Sequence, residues 1–260
     1  MSTCYKNFPV VITYQDGSTE NIYANDISLS ESVAIESLES LGAKGSTAAF
    51  NRQAPEGSVS ITSYMGSGIS QTLDLIRENS QNITIKFGKY ETPAPCILSS
   101  VSVQVSVGEP LTLSRDYQYF GSVTTGSTPA VEPVAITPVV PEGISISGYD
   151  NISGSPIITE VAWQVSQNYE TFNLLGNVTP VVVYKSAEKT MDINGEQLTQ
   201  SLMTSASAGC VVPPKPYLIT ISGCGTGLGT LGITGYMVSR SSSVTPGQVE
   251  NNGVNITEFL

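Results

Sequence analysis

The chain has 260 residues, no histidine, 11 Lys and Arg against 22 Asp and Glu, and a net charge of −11. Catalytic triads with an imidazole base and imidazole metal sites are thereby excluded. A phosphate grip needs clustered Lys and Arg, and acidic residues outnumber basic ones in both halves.

Few charges, 24 Gly, 15 Pro and abundant Ser and Thr give the composition of a β-protein with many turns. The N-terminus MSTCYKNFPVVITYQDG lacks an apolar core of signal-peptide length, and no run reaches the length of a membrane span. Synthesis and folding in a cytoplasm, with no membrane partner, are the expectation.

Val10 to Thr13 opens a strand that ends in the turn residues Gln15-Asp16-Gly17. From Ile27 to Leu41 the chain alternates, with Ile27, Leu29, Val33 and Ile35 on one face and Ser28, Ser30, Ser32 and Ala34 on the other. That is the pattern of a strand with one buried face. A segment interrupted by Gly42, Gly45, Pro55 and Gly57 follows, then a strand from Val59 to Tyr64. Ser70 to Asn79 has the spacing of a short amphipathic helix, capped by Ser70 with Leu73 and Ile76 inward. Val101, Val103, Val105 and Val107 alternate with Ser102, Gln104 and Ser106 in a further strand. Ser122 to Pro141, rich in Pro, Thr and Val, reads as an extended linker.

The second half begins with Val161, Trp163 and Val165 alternating with Ala162, Gln164 and Ser166. Next come Val181 to Tyr184, a charged turn from Lys185 to Lys189, a returning strand at Thr190 to Ile193, and a helical stretch from Glu196 to Ser205. Trp163 is the sole tryptophan and takes an inward, core position.

Motifs with catalytic precedent fail their context. Glu31, Glu36 and Glu39 divide between two faces of a strand and read as solvated surface. Gly227, Gly229 and Gly232 match a dinucleotide-binding fingerprint, but Ile233 to Val238 reads as a strand where a helix is required, leaving the glycines as a flexible connection. Cys4, Cys96, Cys210 and Cys224 form no zinc pattern; a Cys210–Cys224 disulfide and buried free thiols both stay open. No enzyme, cofactor or metal is expected.

The two halves match in order. Ile27, Leu29 and Phe50 stand 134 residues before Val161, Trp163 and Tyr184, and Ile83, Ile85 and Phe87 stand at the same spacing before Tyr217, Ile219 and Ile221. The spacing then slips by two, so that Pro110 falls opposite Pro246. A mainly β chain is expected, with domains at 1–121 and 142–260 joined by a linker at 122–141.

The repeated order of long alternating strand, extended hairpin, short helix and closing strands resembles the tail-tube family of tailed bacteriophages. It is carried by Ile27 to Gly42, Leu73 to Asn79 and Val101 to Phe120, and again by Val161 to Gly176 and Tyr217 to Phe259. The resemblance implies two tandem antiparallel β-sandwich domains, each with one short helix. It implies homo-oligomeric rings, three chains acting as a pseudo-hexamer, stacked into a tube in the virion tail through which phage DNA passes without sequence-specific binding. Tape-measure, baseplate and terminator proteins would be its partners, and assembly would take place in the host cytoplasm. The long hairpins, Ala43 to Gly57 and Ser186 to Gly195, would reach the neighbouring ring, making Lys44, Arg52, Lys185, Glu188 and Lys189 candidate inter-ring contacts. A tail terminator, baseplate or tail-tip ring on the same fold, and a two-domain immunoglobulin-like adhesin or carbohydrate-binding module, are the alternatives.

Overall fold

A computed structural model describes residues 8–38, 48–51, 54–65, 82–126, 138–148, 157–174, 179–196, 214–223, 226–243 and 251–259. Among them the regular structure is entirely β. The helices expected at 70–79 and 196–205 lie outside the described residues, except for Glu196, which ends a strand. Cys4, Cys210 and Cys224 also lie outside them.

β1 (Phe8–Thr13) and β2 (Thr19–Ser32) form a hairpin closed by Asp16 and Gly17. Asp16 accepts a 2.8 Å bond from the Ser18 amide, and Gly17 takes the positive φ that the turn requires. β3 (Ile35–Leu38) and β4 (Ala48–Asn51) pair with each other in a small second sheet. The first half continues with β5 (Glu56–Tyr64), β6 (Thr84–Phe87), β7 (Tyr90–Glu91), β8 (Cys96–Ser106), β9 (Thr112–Phe120) and β10 (Thr124–Thr125). The second half holds β11 (Gly143–Ser147), β12 (Ile157–Phe172), β13 (Val181–Glu196), β14 (Lys215–Gly223), β15 (Thr226–Ser243) and β16 (Asn251–Phe259).

Fourteen strands make one antiparallel sheet in the order β10-β7-β6-β1-β2-β5-β9-β8-β12-β13-β16-β15-β14-β11. Two long strands change partners midway. β2 pairs with β1 up to Ala24 and with β5 from there on, and β15 passes from β14 to β16 at Gly235 and Tyr236. Gly235 is needed at that crossing, because a Cβ there would collide with the Thr257 carbonyl. One hydrophobic core runs across both halves, from Val10, Ile12, Ile61 and Tyr117 to Trp163, Met191, Ile219 and Ile256.

The strand registers of the two halves coincide. Val10↔Phe87 and Ile12↔Ile85 recur as Ile144↔Ile221 and Ile146↔Ile219. Val59↔Tyr117 and Ile61↔Arg115 recur as Met191↔Ile256 and Ile193↔Val254. The irregularities recur as well. The slip at Ala24/Asp26 between β2 and β5 has its counterpart at Ile158/Glu160, and that at Leu98/Ser100 between β8 and β9 at Met237/Ser239. A bulge adds one unpaired residue and re-aims the strand, so a bulge at the same register position bends both halves alike. The closing strands, however, align Thr112–Phe120 with Asn251–Phe259, a spacing of 139 residues instead of the one set by Pro110 and Pro246.

Three local expectations are corrected. The charged run Lys185 to Lys189 is no turn: it lies inside β13, where Ser186 to Lys189 pair with β12 and Lys185 is the extra residue of a bulge. None of Lys185 to Lys189 is buried, so their charged side chains reach water without breaking the ladder, and Lys185 forms an ion pair with Glu170 across the strands. Gly227 to Gly232 is likewise part of a strand, β15, not a connection. The alternating strand expected over 27–41 begins earlier, at Thr19, and breaks after Ser32 before β3. The ends of the expected linker are also tied down: β10 pairs with β7, and Val139 exchanges backbone bonds with Met65 and Leu111.

Among the described residues, five protonated hydroxyl and thiol groups bind stability to pH: Tyr14, Tyr117 and Tyr169 are held above their ordinary pKa, chiefly by burial, together with Cys96 and Tyr119, which are the two followed below. Burial pushes the Cys96 thiol up to about 12, and burial together with the Glu31 charge pushes the Tyr119 hydroxyl up to about 12. Unfolded, the two groups ionise nearer 9 and 10. Their folded pKa values are raised, so their contribution is complete below about pH 9 and is lost as pH climbs towards 12. The urea midpoint is expected to fall over that window, and Cys96→Val to flatten the fall; an equal slope in the variant would remove the thiol from the account.

Candidate functional site

The feature that stands out is an edge-to-edge junction between the halves. β8 of the first half pairs with β12 of the second, from Ser100↔Ser166 to Ser106↔Glu160. Val101, Val103 and Val105 meet Val165, Trp163 and Val161 on the core side, and all six are buried. Trp163 lies between Val103 and Met191 and is 3% exposed, as its inward position in the alternating strand predicted. The alternation Val-Ser-Val-Gln-Val on β8 suits this place, one face dry and the other polar.

The opposite face of the same strands is polar over β2, β5, β9, β8, β12, β13, β16 and β15. Hydroxyl, amide and carboxylate groups bond across it from strand to strand. Ser30 and Ser58 lie 2.8 Å apart, and Thr62 and Ser114 3.0 Å apart. Ser100 donates to Asp116 at 2.6 Å, Gln104 to Glu160 across the junction at 2.9 Å, and Asn255 to Asp192 at 2.6 Å. Every second residue over 26–32, 58–64, 112–118, 100–106, 160–166, 188–196, 251–259 and 239–243 belongs to this face, and none of them is Lys or Arg. Its charges are the carboxylates of Asp26, Asp116, Glu160, Glu188, Asp192 and Glu196.

Beyond the junction, β12 and β13 continue as a two-stranded arm. β8 stops pairing at Ser166 and β16 at Glu188, so Gln167–Phe172 and Val181–Ala187 pair only with each other among the described residues. Phe172, Val181 and Val183 are exposed on it, and Tyr169 at its base packs edge-on against Phe120 with ring centroids 6.5 Å apart.

The predicted contact residues are therefore scattered. Lys185 is on the arm, in its ion pair with Glu170. Glu188 lies on the polar face between Ser166 and Phe259, where β13 is flanked on both sides. Lys189 points to the other face and pairs with Glu258 at 3.4 Å. Most of Ser186 to Gly195 is thus the base of the hairpin, and the projecting part precedes it. Lys44 and Arg52 lie outside the described residues. The serines of β2 and β15 were not among the predicted site residues, although Ser28-Leu29-Ser30 and Ser239 to Ser243 signal strand edges with a polar face.

These features define an antiparallel, mainly β protein whose distinctive surfaces are sheet edges and a Lys- and Arg-free polar face. In comparison with known protein families and with curated proteins, the chain has no match.

Proposed function

We propose that the chain is a subunit of a bacteriophage tail tube, built from two tandem copies of one β-sandwich domain, with three chains closing a ring of six similar domains. The observation that carries this reading is the β8–β12 junction: two halves with one register continue each other's sheet edge to edge. A unit that joins its own copy in this way can join further copies by the same geometry, and closure removes the exposed strand edges that a free sheet must protect.

The polar face supports the same reading. Turned towards a channel, a surface of hydroxyls, amides and carboxylates without Lys or Arg repels phosphate and offers no counterion-releasing contacts. DNA would pass without being held. The arm at 167–172 and 181–187, with Phe172 and Val181 exposed, is the element suited to bury itself against a stacked ring.

Electron microscopy of the purified protein tests this directly. Hollow tubes, or rings with a mass three times that of the 27.4 kDa chain, are expected. Isolated rings that never stack would favour a terminator or baseplate component, and a stable monomer or a ring of six chains would overturn the reading.

A further inference from the structure

The polar face differs between the two halves at one place. Ser60, Asp116 and Ser100 stand abreast on β5, β9 and β8, with Thr62, Ser114 and Ser102 in the next row. The corresponding rows of β13, β16 and β15 are Asp192, Asn255 and Ser239, then Asn194, Gly253 and Ser241. In the first half Ser114 fills the middle of its row, its hydroxyl 3.0 Å from that of Thr62. In the second half Gly253 leaves the same position without a side chain, and a hollow of about 370 Å³ lies there, lined by Asp192, Asn194, Asn255 and the two serines of β15.

The side chains around the hollow turn acceptor oxygens into it. Ser241 Oγ and Asn194 Oδ1 reach over Gly253 from the two flanking strands, 2.7 Å and 3.0 Å from the point where a Cβ would stand. Asn194 donates its amide to Glu160 Oε2 at 3.3 Å, so its carbonyl oxygen is the atom left for the hollow. Asn255 donates to Asp192 Oδ1 at 2.6 Å, which fixes that carboxylate at the rim. An anion would be repelled by Asp192, and a sugar would find no aromatic side chain in the lining to stack on.

We propose that the hollow over Gly253 binds a hard divalent cation, calcium in preference to magnesium, through Asp192, Asn194 and Ser241, with Ser239 and water completing the shell. The site goes beyond the tail-tube reading and does not depend on ring formation. Calcium accepts about six to eight oxygens at roughly 2.3–2.6 Å in loose geometry, which suits donors carried by neighbouring strands, whereas magnesium demands a tight octahedron at about 2.0–2.1 Å. A single carboxylate in the shell makes the binding weak, with Kd about 10⁻⁴–10⁻³ M. The expectation of no metal rests on cysteine and histidine patterns, to which an oxygen site shared by three strands is invisible.

Calorimetric titration of the intact chain with calcium chloride tests the site. Saturable binding at one site per chain is expected, at least ten-fold tighter than with magnesium chloride. Asp192→Asn keeps the bond from Asn255 and should weaken calcium binding at least ten-fold, and Gly253→Ala, which sets a methyl group in the cradle, should do the same. Asp116→Asn removes a carboxylate from the corresponding rows of the first half and should leave the titration unchanged. Circular dichroism of each variant separates loss of the site from loss of the fold. If folded Asp192→Asn and Gly253→Ala bind calcium as the parent does, or if Asp116→Asn weakens it equally, the ion is only a diffuse counterion of an acidic surface and the site is overturned. Absence of saturable binding at about 10 mM calcium would overturn it as well.

Discussion

Replacing Trp163 with alanine is expected to destabilise the folded chain by about 4 kcal/mol, the largest effect of any single truncation at the junction. Trp163 is 3% exposed and lies where β8, β12 and β13 meet, opposite Val103 and Met191. Its removal forfeits the transfer energy of the largest side chain and leaves a cavity between strands that cannot collapse without breaking their ladders. The urea midpoint followed by circular dichroism should fall with an unchanged slope. Leu29→Ala makes the decisive comparison. It occupies the matching position of β2, but at 36% exposure its truncation should cost the unassembled chain less than about 1.5 kcal/mol. Equal losses at the two positions would mean that the β2 edge is already covered within one chain.

The second large effect is expected from Glu20→Gln, at about 2 kcal/mol, less than for a fully buried pair because the Glu20 side chain is 36% exposed and screened by water. Arg115 sits on the core face of β9 with a side chain 5% exposed, and Glu20 on β2 takes its Nη2 at 2.9 Å while also accepting from the Tyr14 hydroxyl. Burial by itself disfavours the Arg115 charge, but Tyr117 and Glu20 outweigh it and hold the guanidinium above its ordinary pKa. Loss of the carboxylate leaves a buried cation whose Nε and Nη1 have no hydrogen-bond partner among the described residues. The double variant Glu20→Gln with Arg115→Met is expected to recover most of the loss, since a buried pair replaced by an apolar side chain of similar volume is close to neutral. If Glu20→Gln costs under about 1 kcal/mol, the ion pair belongs with ordinary surface pairs. Denaturation at neutral pH separates the two cases.

Much of the fold was readable as pattern. Val10 to Thr13, the valines of 101 to 105 and the strand around Trp163 are strands with the predicted face inward, because a period of two with one apolar face has few other solutions. The turn at Asp16-Gly17 was equally plain, since its chemistry is local. Less legible were segments whose neighbours set their state. Lys185 to Lys189 has the composition of a turn and becomes a strand because β12 lies beside it throughout. Gly227 to Gly232 has little strand propensity, yet pairs with β14. The spacing of the closing strands also escaped a comparison of prolines, because loops between paired strands change length freely while the register does not. Of the candidate contacts, Lys185, Glu188 and Lys189 drew notice as charges, but two of them bond or pack inside the sheet, whereas the edge at Asp26 to Ser32 carries an ordinary serine alternation.

By itself the sequence determined a β-protein without imidazole chemistry, the inward faces of its best strands, and a hydrophobic order stated twice, all of which follow from composition and from residues two apart along the chain. Only the tertiary structure decided which strands are neighbours: that β8 closes on β12, that Trp163 is buried where Leu29 is left half-open, and that the bulges fall at equivalent places in both halves. The physical reason is that a strand's alternation fixes which way its side chains point, while its hydrogen bonds go to a partner far away in sequence, chosen by the packing of the whole sheet.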